Sequence, residues 1–97
     1  MKLVMLIFNQ ALEDEVMKIF DKLNIRGFTQ INDVYGQGSD KGEPHFGTHI
    51  WPDVNTMILT VIPDEKVEDF LSEVKFLNNR FEEEGIHAFT LNVERMV

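Results

Sequence analysis

Apolar and polar positions divide the chain into six segments of two different periods. Residues 2–8 form a short run rich in branched side chains and bounded by polar residues, the signature of a strand. Both of its faces are apolar, Leu3, Met5 and Ile7 on one side and Val4, Leu6 and Phe8 on the other, which predicts a central strand covered on both sides. Over residues 11–23 the period lengthens. Leu12, Val16, Ile19, Phe20 and Leu23 make the stripe of an amphipathic helix, with Glu13, Asp14 and Glu15 at the positive end of its macrodipole. Gly27 ends the connection that follows. Residues 28–35 then alternate Phe28, Gln30, Asn32 and Val34 against Thr29, Ile31, Asp33 and Tyr35 as a second, more polar strand.

The pattern stops between residues 36 and 55, where Gly36, Gly38, Gly42, Gly47, Pro44 and Pro52 interrupt any sustained period. Connections in compact domains are usually roughly 4–6 residues, so a loop of this length is the first place to look for function. Residues 56–62 form a third strand, with Met57, Leu59 and Val61 on one face and Ile58 and Ile62 on the other. Pro63, Asp64 and Glu65 open a second helix with Asp64 as the expected N-cap, and its stripe is Val67, Phe70, Leu71, Val74, Leu77 and Phe81. After Gly85, residues 86–93 read as a fourth strand that sets Phe89, Leu91 and Val93 on one side. The order βαββαβ is that of the α+β ferredoxin-like sandwich, two helices on one face of a four-stranded antiparallel sheet. The other face is left open, and strands 1 and 3 make it apolar. Burying apolar surface is worth about 25 cal/mol per Å², so a homo-oligomer packed through its sheets is expected, with dimer and trimer both open on symmetry grounds.

Length and charge narrow the function. The 97 residues suit one domain spanning 1–97. With 17 acidic against 9 basic residues and a net charge of −8, the chain is unsuited to nucleic acid or to an anionic membrane surface. The apolar run at the N-terminus is too short for a membrane span and polar Asn9 and Gln10 follow it, so neither secretion nor membrane insertion is expected. The absence of cysteine excludes thiolate chemistry and Cys-ligated metals and makes a cytoplasmic location the default.

Candidate chemistry gathers in the long loop. His45 and His49, flanked by Glu43 and Asp53, are suitable ligands for a divalent transition metal. The same histidines also read as ordinary loop residues, with Phe46, Ile50 and Trp51 packing the segment onto a neighbouring subunit. His87, in phase with Phe89, reads as a partly buried edge residue, and Met5, Met17 and Met57 as packing. Gly36-Gln37-Gly38 lacks the Gly-Lys-Ser/Thr ending of a P-loop, and Ser39 has no histidine at a motif-defining distance, so no catalytic triad is indicated.

Residues 25–29 (Ile-Arg-Gly-Phe-Thr) and 34–42 (Val-Tyr-Gly-Gln-Gly-Ser-Asp-Lys-Gly) resemble the helix-1 exit, second strand and T-loop start of the PII signalling proteins, and Pro63-Asp64-Glu65-Lys66-Val67 is similar to that family's turn into helix 2. The resemblance implies a ferredoxin-like homotrimer that holds an adenine nucleotide, in many members with Mg²⁺ and 2-oxoglutarate, in clefts between subunits. Its T-loop contacts a transporter, enzyme or regulator. It places Thr29 near the adenine, the backbone of Gly36, Gln37 and Gly38 at the phosphates, and Lys41 within reach of a phosphate. Where the family has a glycine-rich second phosphate loop, this chain carries Glu82, Glu83 and Glu84, and the family's basic pair after strand 4 has no counterpart in Glu94-Arg95-Met96-Val97. The expectation is a PII-like small regulatory protein with no chemistry of its own and a ligand other than the usual ATP, presenting loop 36–55 to a partner such as a membrane transporter. Two alternatives share the architecture: a CutA-like divalent-metal-binding trimer, and a small ferredoxin-like isomerase or monooxygenase.

Overall fold

The computed structural model describes residues 1–36, 54–81 and 85–97. The elements are β1 (Lys2–Asn9), a 3₁₀ turn (Gln10–Leu12), α1 (Glu13–Lys22), β2 (Thr29–Val34), β3 (Asn55–Ile62), α2 (Asp64–Arg80) and β4 (Ile86–Asn92). The strands join in the order β2-β3-β1-β4, every neighbouring pair antiparallel, which gives the ferredoxin-like sandwich expected from the alternation of periods. The two strands that are apolar on both faces, β1 and β3, are the inner pair.

One face of the sheet makes the core with the helices. Val4, Leu6, Phe8, Ile58, Ile62 and Ile86 pack against Val16, Ile19 and Phe20 of α1 and Val67, Phe70, Val74 and Leu77 of α2. Both helical stripes are therefore the expected ones, with Leu23, Leu71 and Phe81 at their margins. Phe20 stands at the centre, edge-to-face with Phe70 at 5.6 Å and with Phe28 at 5.2 Å. The opposite face is open rather than covered. There the register sets Met5 between Leu59 and Phe89, Ile7 beside Met57, and Leu3 between Val61 and Leu91. Met5 and Met57 thus belong to the open face, and only Met17 packs against the helix-side core.

Several boundaries differ from the expected ones for local reasons. The helical period begins at residue 11, but Asn9 accepts a hydrogen bond from the Ala11 amide at 2.8 Å and holds the first turn as 3₁₀, so α1 starts at Glu13. Asp64 is the first residue of α2 rather than its N-cap. Pro63 takes the cap position in an extended conformation, and the Asp64 carboxylate pairs with the Met1 amino group instead. The exit of α1 is made by Asn24, not Gly27. Asn24 has φ 55°, its amide donates to Asp21 O and that of Ile25 to Phe20 O, a Schellman motif whose accompanying apolar contact is the buried Ile25. In β2, Ile31 faces Met57 while Val34 faces Asn55, so one residue is extra and the strand bulges where Asp33 takes φ 58°. The long connection ends sooner than expected. Val54 is buried, its carbonyl accepts from the Gln10 amide, and Asn55 already belongs to β3.

Candidate functional site

Among the residues the sequence singles out, Thr29 and Gly36 are described, and they lie at the two ends of β2. Thr29 opens β2 and Gly36 follows its last residue, Val34, by two positions, with the bulge at Asp33 between them. Gln37, Gly38, Lys41, Glu43, His45, His49 and Asp53 lie outside the described residues. Among the described residues no group of three or more His, Asp or Glu side chains could hold a metal ion. His87 is exposed on β4, opposite Ile7 on the open face, rather than partly buried.

Thr29 opens onto a depression of about 330 Å³. Its floor is the open face of the inner strands, Leu3, Leu59 and Val61. Gly27, Phe28 and Thr29 make one wall, and Thr60 and Met96 complete the lining. No charged side chain lines it. The wall is held by contacts that propensity does not reveal. The Thr60 hydroxyl donates to the Gly27 carbonyl at 2.6 Å, and the Phe28 ring is anchored on Phe20. Arg26, exposed beside the wall, donates from Nε to Asn24 Oδ1 at 3.1 Å. An aliphatic floor beneath an exposed hydroxyl and a strip of backbone suits a flat, uncharged heterocycle that stacks on branched side chains and exchanges a few hydrogen bonds at its edge.

The resemblance singles out Thr29 but none of the other residues that line this depression. A weak signal for one of them exists: Thr60, like Thr56, is a polar residue in the buried phase that also holds Ile58 and Ile62. Leu3, Phe28 and Val61 carry none, because apolar alternation makes every such residue look like packing.

The family model of nitrogen regulatory protein P-II matches residues 1–97. No curated protein is matched by the chain. Solved structures share the fold. The PII-like protein CPII of Thiomonas intermedia K12, bound to ADP, AMP and bicarbonate, is 19% identical with a TM-score of 0.68, over 99% of this chain and 94% of that one. The same protein bound to ADP and bicarbonate gives 22% identity and a TM-score of 0.71, over 97% and 88%. A PII-like signalling protein from Thermus thermophilus is 20% identical with a TM-score of 0.66, over 95% and 85%. With the family model matched from the first residue to the last and the βαββαβ sandwich in place, the chain belongs to the nitrogen regulatory protein P-II family.

Proposed function

We propose that this chain is a PII-like signalling protein that assembles as a homotrimer through its open sheet faces, binds an adenine nucleotide with the base in the Thr29 pocket, and presents the 36–55 segment to a protein partner such as a transporter. The observation that carries the ligand is the pocket itself: an uncharged aliphatic slot with one hydroxyl at its edge. The nucleotides held by CPII support the choice of adenine. Ligand binding acts by favouring one arrangement of the 36–55 segment over others, which requires different affinities for the two.

The apolar open face supports assembly. Phe89, Leu91 and Ile31 are exposed at 52%, 48% and 44% in the single chain, beside half-buried Leu3, Met5, Ile7, Met57 and Leu59. A contiguous surface of this kind is uncommon on a monomer.

Thermal unfolding against ADP, AMP, ATP, cyclic nucleotides and divalent metals tests the reading, because a ligand that binds only the folded state raises the midpoint by mass action. ADP or AMP is expected to raise it, and Thr29→Val to weaken that response. No shift with any nucleotide at millimolar concentration would overturn the nucleotide reading.

A further inference from the structure

Thr60 lies on the buried face of β3 at 2% exposure, between Ile58 and Ile62, where the pattern calls for an aliphatic side chain. Its hydroxyl donates to the carbonyl of Gly27, 33 positions away in sequence, at 2.6 Å. Gly27 precedes β2, and the ladder between β2 and β3 begins with Thr29 opposite Leu59. The hydroxyl therefore ties the chain to β3 beyond the point where regular pairing stops. A Cβ added at Gly27 would meet nothing within 4 Å, so that side of the position is open. The remainder of the connection is held from elsewhere. Lys66 of α2 donates to the Asn24 carbonyl at 3.2 Å, and the Phe28 ring rests on Phe20.

Gly27, Phe28 and Thr29 are also the wall of the uncharged pocket. We propose that Thr60 is a positioning residue for that pocket: its hydroxyl holds the 27–29 backbone at the distance from β3 that admits a flat heterocyclic base, and so sets affinity for the base from behind the wall. The proposal rests on the reading of this pocket as a base site. Without the hydroxyl, the Gly27 carbonyl at the sheet edge takes a water instead, which costs the unliganded protein little. The wall then has to be reordered each time a ligand binds, and that ordering cost appears in the affinity.

Thr60→Val keeps the branched shape and removes the donor, and Thr60→Ser keeps the donor. Titration calorimetry with ADP and with AMP is expected to show binding about tenfold weaker for Thr60→Val, the upper range for one net hydrogen bond, and within about twofold of wild type for Thr60→Ser. Amide exchange at Phe28 and Thr29 is expected to quicken in unliganded Thr60→Val. Wild-type binding with an unchanged Kd in Thr60→Val, whatever its unfolding midpoint, overturns the positioning role alone and leaves the base site standing. Failure of wild type to bind either probe overturns both the base-site reading and this role.

Discussion

Asn24 shows how much one residue settles. Left-handed backbone costs most side chains about 1–2 kcal/mol, and Asn is among the few that tolerate it. Here it ends α1 and aims the chain toward Gly27 and the pocket wall. Asn24→Ala is expected to lower stability by about 1 kcal/mol in urea unfolding, while Asn24→Gly stays within a few tenths, losing only the bond from Arg26. Asp64 carries the other local effect. A hydrogen bond from the Met1 amino group, then that group's charge, hold its carboxyl below the usual range; the charge of Lys2 acts the same way, and a desolvation effect opposes them. A carboxyl whose folded pKa lies below the unfolded value of about 3.9 contributes stability above that pH, and the contribution is lost as pH falls through the folded pKa. Unfolding midpoints of wild type and Asp64→Asn are expected to differ slightly at pH 7, since the pair is exposed, and to converge as the pH falls through the folded pKa.

At the scale of elements, the helical stripes were legible because a period of 3.6 residues is written in consecutive positions, and both α1 and α2 bury the residues it selects. Phe70 is the deepest member of the α2 stripe, fully buried and edge-to-face with Phe20, which in turn supports Phe28. Phe70→Ala is expected to cost about 3–5 kcal/mol in chemical denaturation, a large share of a small domain's stability. Element ends were less legible. The 3₁₀ turn depends on the Asn9 side chain and the β2 bulge on a register shift against Asn55, and neither alters the apolar pattern by which the segments are recognised.

For the whole molecule, the open face is the feature on which the proposed assembly turns. Phe89 lies on it at 52% exposure opposite Met5, so an acidic side chain there disturbs little in the isolated chain but would set a charge in the proposed interface. Phe89→Glu is expected to sediment as a monomer with an unchanged far-ultraviolet circular dichroism spectrum. An unaltered oligomer would argue against packing through the sheets. Among the described residues no helix is long and apolar enough to cross a membrane.

What the sequence determined by itself follows from local periodicity: the number, kind and order of the elements, the inner places of β1 and β3, the apolar face they leave, and the likeness to PII proteins carried by residues 25–42. What only the tertiary structure decided depends on register between distant segments. It brings Leu3, Val61 and Met96 to the same depression as Thr29. It also joins the Thr60 hydroxyl to the Gly27 carbonyl. A strand's alternation tells which face a side chain takes, but not which residue of another strand will stand beside it, because that is set by pairing across the sheet.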